Sequence, residues 1–410
     1  MIKLTVRRER VGPIRGRHPW VFSGALIRIP DGLESGMPVG LYDEAGKFLA
    51  QGYFNSYSQI AVRVWSWDEK EEVNAGFFEK RIKQAYEIRK NYVENKSTDS
   101  YRLINSENDL LPGLIVDKYG EFLCVQFHTR GMEFWKISII DALKKVVNPK
   151  GIYERSDVGH RAKEASLPLL TKEGRGEVQN VNNVKNVNNV GLLHGVVPEK
   201  IKIKENGLKF LVDVAGGQKT GFFLDQRDKR EALKKYVKNK IVLNCFSYTG
   251  GFSVYALEGG AKKVMSVDVS ESALKLAEEN AKLNGFAKNH EIICADVKDY
   301  LSGCEGRKDV IILDPPAFIK DRRKIREGVQ GYRKINELAI RLLPTGGILV
   351  SASCSAHLSL PDFRYMLSEA GGRAGRTLQI LETFTHGIDH PELVAFTEGE
   401  YLKCVFAIVN

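Results

Sequence analysis

Four short apolar runs between Lys240 and Phe318, each followed by a turn carrying polar residues, restrict this chain more than any other feature. Ile241–Cys245, Val264–Val267, Glu291–Cys294 and Val310–Leu313 are rich in β-branched residues and flanked by turn formers, the mark of buried parallel strands. Between the second and third, Glu271–Asn284 places Ala273, Leu274, Leu276, Ala277, Ala281 and Leu283 on one helical stripe, with Asp268 or Ser270 as its cap. The unit is βαβαβ, half of a doubly wound sheet, and its ligand belongs at the carboxyl ends of the strands.

The residues at those ends narrow the ligand. Phe246-Ser-Tyr-Thr-Gly-Gly251 follows the first strand without the G-x-G-x-x-G spacing of a dinucleotide site, and no P-loop occurs in the chain. Asp268 ends the second strand, where a carboxylate accepts ribose hydroxyls; Asp296 follows the third, within reach of an adenine amino group. Asp314-Pro-Pro-Ala-Phe318 follows the fourth, and its two prolines hold an extended loop that ends in an aromatic ring. Ribose and adenine contacts without a phosphate cradle point to S-adenosylmethionine. One aspartate alone is as readily a cap in a buried sheet; the ordered series favours the cofactor.

At 410 residues the chain is expected to hold two or three domains, and its net charge of +10 suits a polyanion without requiring one. The six cysteines are scattered without metal-ligand spacing, as reduced thiols are, so no metal is expected. No leader-like segment opens the chain and no apolar run reaches about 18 residues, so a cytoplasmic location without membrane attachment is expected. Residues 1–72 carry strand-like runs at Ile2–Val6, Met37–Tyr42, Phe48–Tyr53 and Ile60–Trp65, an all-β module. Its basic segment includes Arg7, Arg8, Arg15 and Arg17 around His18-Pro-Trp-Val-Phe22, a mixture that suits RNA phosphates and bases. Phe22 is expected in the small core. This segment resembles a PUA domain, an RNA-binding barrel, and the resemblance implies substrate docking.

A charged amphipathic helix, Glu72–Asn95, leads into a small α+β region with strands near 101–104, 113–117, 122–128 and 151–154 and a helix over 133–147. Lys118-Tyr-Gly-Glu121 is expected as a turn, and Asp109 and Asp117 as turn or surface carboxylates. Residues 166–198 contain Val178–Val190, VQNVNNVKNVNNV, too poor in apolar residues to pack; a flexible linker without assigned function is expected. An Asn206-Gly207 hairpin then precedes Thr220-Gly-Phe-Phe-Leu-Asp-Gln-Arg227, where Asp225 is expected to cap a helix whose amides receive a carboxylate. Arg322 and Arg323 lie in a basic run beyond the Asp-Pro-Pro loop and are expected to meet RNA phosphates.

Cys354 sits between serines where the fifth strand, Gly347–Val350, runs out. An isolated cysteine in an apolar run is ordinarily a core residue; this one ends a strand beside the Asp-Pro-Pro loop. Carbon 5 of a cytosine becomes nucleophilic once a thiolate adds to carbon 6, so Cys354 fits covalent catalysis. Asn-Cys-Phe-Ser-Tyr-Thr-Gly-Gly-Phe-Ser, Thr-Gly-Phe-Phe-Leu-Asp-Gln-Arg, Leu-Asp-Pro-Pro-Ala-Phe and Ser-Cys-Ser resemble motifs of bacterial PUA-containing class I methyltransferases that form 5-methylcytosine in 23S ribosomal RNA. The resemblance spans nearly the whole chain. It implies Cys354 as nucleophile and Asp314 as the catalytic-loop acid. It also implies a cofactor site of Asn244, Phe246, Tyr248, Thr249, Gly250, Asp268, Asp296, Asp225, Gln226 and Arg227. The substrate is expected against Pro315, Pro316 and Phe318. Many RNA cytosine-5 methyltransferases carry a second cysteine in the Asp-Pro-Pro loop; Ala317 stands here, as in the resembled family, which implies a single-cysteine mechanism.

The expected fold class is therefore α/β: a Rossmann-like class I methyltransferase domain at 199–410, an N-terminal PUA-like barrel at 1–72 and a central α+β domain at 73–165. The expected partner is large-subunit ribosomal RNA. Three rivals remain: methylation of a guanine or adenine nitrogen, which needs no thiol; methylation of a small molecule, which leaves the basic module without purpose; and RNA binding without catalysis.

Overall fold

A computed structural model describes residues 1–156 and 191–410. The C-terminal sheet has the order His290–Cys294, Lys263–Asp268, Ile241–Cys245, Val310–Leu313, Gly347–Ser353, Lys403–Val409, Leu378–Phe384. The first five strands are parallel, and Lys403–Val409 pairs antiparallel with both of its neighbours, Gly347–Ser353 and Leu378–Phe384. Strand order reverses at Ile241–Cys245, which opens a crevice at the carboxyl edge between it and Val310–Leu313. Helices cover both faces. Glu271–Leu283 buries Ala273, Leu274, Leu276, Ala277 and Ala281 of the predicted stripe, leaves Leu283 half-buried, and is capped by Ser270 Oγ, which accepts the Ala273 amide. Ile325–Leu342 and Leu360–Ala374 pack on the other face against Leu243, Leu313 and Leu349.

The N-terminal sheet runs Ile2–Thr5, Pro38–Tyr42, Phe48–Phe54, Ile60–Ser66, Trp20–Phe22. Its last strand lies within the basic segment. Period-two alternation there buries Val21 and turns Phe22 outward, 48% exposed, so the expected core position of Phe22 is overturned. Tyr53 and Trp65 of this module join the core of the next, against Phe77 and Phe78 of the helix Ala75–Tyr92. The two regions thus share apolar packing.

The central sheet has the order Gly191–Gly195, Gly151–Glu154, Phe122–Phe127, Leu114–Tyr119, Ser100–Asn105. Three expectations change here. Lys118 and Tyr119 are strand residues, leaving Gly120 and Glu121 to turn. The helix expected over 133–147 is broken at Trp135 into Arg130–Phe134 and Lys136–Val147. Asp109 and Asp117 are not surface groups: Asp109 receives both terminal nitrogens of buried Arg89 at 2.7 Å, and Asp117 receives Arg102 Nε at 2.6 Å. Residues 191–195 of the expected linker form the edge strand of this sheet, paired with Gly151–Glu154. The valine–asparagine repeat lies outside the described residues. The Ile201–Glu205 and Leu208–Val212 hairpin closes at Asn206-Gly207, both at positive φ. No described helix is long and apolar enough to cross a membrane.

Candidate active site

The carboxyl edge of the C-terminal sheet opens into a cavity of about 1020 Å³. At its first wall, the chain leaves Ile241–Cys245 through a tight turn in which Phe246 (φ 58°), Tyr248 (φ 46°) and Gly250 (φ 77°) are left-handed. Two non-glycine residues in that region within three positions mark a strained turn. Asp268 helps hold it: Oδ2 accepts the Tyr248 amide and Oδ1 the Ser270 amide, both at 2.9 Å. Phe246, Ser247, Tyr248, Thr249, Asp268 and Asp296 all line the cavity. Asp296 caps the helix Val297–Gly303 through Oδ1.

The loops after Val310–Leu313 and Gly347–Ser353 supply more of the lining. Asp314, Pro315, Pro316 and Phe318 line the cavity together with Cys354. The Phe318 ring packs 4.6 Å from that of Tyr332, whose hydroxyl accepts the Phe318 amide and lies 2.9 Å from Ser355 Oγ. Ser355 Oγ accepts the Ile319 amide in turn. Lys403, buried, donates to the carbonyls of Ser355 and Leu358. The Asp-Pro-Pro loop and the Ser-Cys-Ser loop are therefore one hydrogen-bonded unit. Gly328 permits it: a Cβ there would meet Ile319 Cγ1 at 2.3 Å.

Charge gathers at this end. Burial raises the Cys354 thiol to about 11, with the Lys219 ammonium pulling it down and Asp314 pushing it up. Burial, reinforced by the Asp225 carboxylate, raises Asp314 to about 7. Burial works against ionisation of Asp225, yet Lys219, His390 and the Tyr401 hydroxyl hold its carboxyl well below the usual range. Gln226 Nε2 donates to Asp314 Oδ1 at 2.8 Å, and Tyr401 donates to Asp225 Oδ2 at 2.7 Å.

Several residues expected at the site lie outside this lining. Asn244 is buried beneath the turn, donating to Ser253 Oγ, and Gly250 packs against Ala277. Arg227 points into the domain, to Asp389, Glu205 and the Ser100 carbonyl, because buried carboxylates on neighbouring elements draw its guanidinium inward. Asp225 caps no helix; the helix Arg227–Leu233 begins after a 3-10 turn, and the Gln226 side chain at its N-cap position bonds Asp314 instead of a helix amide. Arg322 and Arg323 are exposed beyond the lining, and Arg323 pairs with Asp321. Ser247, within the expected 244–250 cofactor loop, lines the cavity, and so do Lys219, Lys298, Lys334 and Tyr401, which had no role assigned from sequence. Lys219 had a local signal, adjoining the Thr-Gly-Phe-Phe motif. Tyr401 had none, since it reaches Asp225 across 176 positions.

The cavity fits S-adenosylmethionine. Asp268 offers a carboxylate for the ribose, and Ser247 Oγ and Asp225 Oδ1 are buried polar atoms of the lining without a hydrogen-bond partner. Orphaned groups of this kind call for a polar ligand. No group of three or more His, Cys, Asp or Glu arranged to hold a metal occurs among the described residues.

Fold and cavity together define an S-adenosylmethionine-dependent methyltransferase of the Rossmann-like kind. Residues 166–402 match the family described as S-adenosylmethionine-dependent methyltransferase, and residues 4–67 match the PUA-like domain. Ribosomal RNA large subunit methyltransferase I of Klebsiella pneumoniae (strain 342) is 40% identical over 405 residues, covering 98% of this chain and 96% of its own. The protein of that name from Vibrio vulnificus (strain CMCP6) is 42% identical over 396 residues, 94% of each chain. A structure from Streptococcus mutans, assigned as a SAM-dependent methyltransferase, superposes with a TM-score of 0.82 at 26% identity over all of both chains. The chain belongs to the ribosomal RNA large subunit methyltransferase I family. S-adenosylmethionine is its cofactor.

Proposed function

We propose that this protein methylates carbon 5 of a cytosine in large-subunit ribosomal RNA, with Cys354 as a covalent nucleophile. The relatives' names supply the RNA class. The observation that carries the base chemistry is the placement of Cys354 on the same cavity wall as Asp314, its Sγ 3.8 Å from the Pro315 carbonyl oxygen.

When bound, S-adenosylmethionine supplies an electrophilic methyl group. Asp268 and Asp296 hold its ribose and adenine ends, and Asp225 with the 246–249 turn completes the cradle. Cys354 Sγ adds to carbon 6 of the cytosine, which raises electron density at carbon 5 and at ring nitrogen 3. Asp314, half protonated near neutral pH, donates a proton toward nitrogen 3 and stabilises that charge. Once carbon 5 carries the methyl group, its remaining proton passes to water, the 5,6 double bond re-forms, nitrogen 3 returns its proton to Asp314 and the Cys354 thiolate is expelled. Lys219, the main cation favouring the thiolate, assists both its formation and its departure. Arg7, Arg8, Arg15 and Arg17 of the N-terminal module, with Arg322 and Arg323 near the cavity, contact RNA phosphates, while Pro315, Pro316 and Phe318 flank the base.

Cys354→Ala is expected to abolish methyl transfer while RNA and cofactor affinities change less than about threefold. Wild-type protein is expected to form a covalent adduct with RNA carrying 5-fluorocytosine, mapping to Cys354 and not to buried Cys245. A Cys354→Ala protein that still methylates, or a product methylated on nitrogen, returns the nitrogen-methylating rival.

A further inference from the structure

Gln226 is 2% exposed, lines the cavity and carries two different hydrogen-bonding atoms. Its Nε2 donates to Asp314 Oδ1 at 2.8 Å, whereas its Oε1 is buried without a partner. That orientation has a chemical reason. Asp314 Oδ1 is an acceptor in the carboxylate and remains one when the proton sits on Oδ2, and the amide nitrogen turned toward it is the matching donor. Oε1 is then left as a fixed acceptor, and a buried acceptor without a partner implies a ligand that donates.

With the ribose hydroxyls and the adenine amino group given to Asp268 and Asp296 in the proposed function, two donors remain for such an atom: the ammonium of the cofactor's methionine end and the exocyclic amino group of the target base. Charge separates them. Asp225, adjacent in sequence, is strongly held as the carboxylate and has its own unpartnered Oδ1, the better match for an ammonium. Gln226 is neutral and is bonded to the carboxyl that faces the base in the proposed reaction. Its acceptor and the Asp314 proton together present an acceptor beside a donor, the complement of the amino group and ring nitrogen 3 of cytosine. Uracil offers the reverse order and meets neither.

We propose that Gln226 is the specificity residue of this site, accepting a hydrogen bond from the 4-amino group of the target cytosine while Asp314 addresses nitrogen 3. The inference rests on the cytosine reading above and takes Gln226 from the cofactor set to the substrate set.

The test uses full-length Cys354→Ala protein, in which no adduct forms, with S-adenosylhomocysteine bound. Its probes are ribosomal RNA fragments spanning the mapped methylation site, made with either cytosine or pyrimidin-2-one, which lacks the 4-amino group. Cytosine is expected to bind about tenfold more tightly, the scale of one buried hydrogen bond. Adding Gln226→Met is expected to erase the preference and leave cofactor affinity within about twofold. Gln226→Glu, which keeps an acceptor toward the cavity, is expected to retain the preference. The proposal is overturned if Cys354→Ala shows no preference, if the Gln226→Met protein keeps it, or if that substitution weakens the cofactor tenfold with base preference unchanged. Mapping the product first keeps the two failures apart. A nitrogen-methylated nucleotide defeats the cytosine-5 reaction itself, whereas 5-methylcytosine with an indifferent Gln226 defeats only this assignment.

Discussion

Cys354 Sγ and the Pro315 carbonyl oxygen lie 3.8 Å apart, and the loops that carry them are tied through Tyr332 and Ser355. The thiol and the carboxyl to which the proposed reaction gives the parts of nucleophile and acid are thereby held by one hydrogen-bonded unit. Their environments push the thiol up to about 11 and the carboxyl up to about 7, so the resting pair at neutral pH is a thiol beside a partly protonated acid.

Asp314 makes the fold less stable at working pH. Its carboxyl goes from 3.8 to about 7 on folding, so the folded state binds the proton more tightly than the unfolded chain. The sign follows: nothing is lost below pH 4, stability falls as pH rises through 4 to 7, and the full cost is present above 7. The shift corresponds to at most about 4 kcal/mol, reduced because the carboxyl is partly exposed on the cavity. Asp314→Asn is expected to melt higher than wild type at pH 8 and to lose that advantage near pH 4. Equal melting temperatures at pH 8 would reject the environment described for this group.

Asp268 holds the loop, and in the proposed site it holds the ribose as well. Each carboxylate oxygen accepts one backbone amide and keeps another lone pair for a ribose hydroxyl. Asp268→Ala is expected to weaken S-adenosylmethionine at least tenfold by calorimetry, since charge-assisted hydrogen bonds are worth about 1.5–3 kcal/mol each. Unchanged affinity would remove Asp268 from the site.

The parallel strands, their order-reversing crevice and the loops at their ends were legible because period, β-branching and turn residues act locally. Cys354, Asp314, Asp268 and Asp296 could be placed from strand ends alone. Arg227 could not. Its neighbours in sequence line the cavity, but its guanidinium is fixed by Asp389 and Glu205, 162 and 22 positions away, and no local pattern reports such a pairing. Phe22 shows a different failure: an aromatic ring among basic residues gives no face until the strand pairing with Ile60–Ser66 is known. Asp117 was hidden likewise, its partners Arg102 and Thr220 coming from two domains.

Arg227 consequently has a structural prediction. It bridges fully buried Glu205 and Asp389 and donates to the Ser100 carbonyl at 2.7 Å, joining the catalytic and central domains. Arg227→Met keeps much of the volume; Glu205 retains Arg230, but buried Asp389 loses its guanidinium partner, a loss of about 3–5 kcal/mol. Urea unfolding is expected to show that loss, while calorimetry of the folded variant shows S-adenosylmethionine affinity within about twofold of wild type. A large fall in affinity without loss of stability would return Arg227 to the cofactor site.

The N-terminal module offers the last prediction. Arg7, Arg8, Arg15 and Arg17 are exposed, with the Arg17 guanidinium 5.3 Å from the Trp67 ring centre and Arg15 engaged by Asp43 at 3.1 Å. Phe22 stands exposed from the same segment, an available stacking surface for an unpaired base. Replacing the four arginines by glutamine removes charge without touching the buried Val11, Ile14 and Val21, so the fold is expected to persist. Each phosphate contact to single-stranded RNA releases counterions and contributes about 0.7 to the slope of log affinity against log salt. The quadruple variant is expected to bind ribosomal RNA fragments more weakly at low salt and with a shallower slope. Arg15 is expected to contribute least, because Asp43 already neutralises it. Cofactor affinity is expected to be unchanged, the cavity being lined by other elements. Filter binding across a salt series decides the matter: an unaltered slope would mean that RNA docks elsewhere on the molecule.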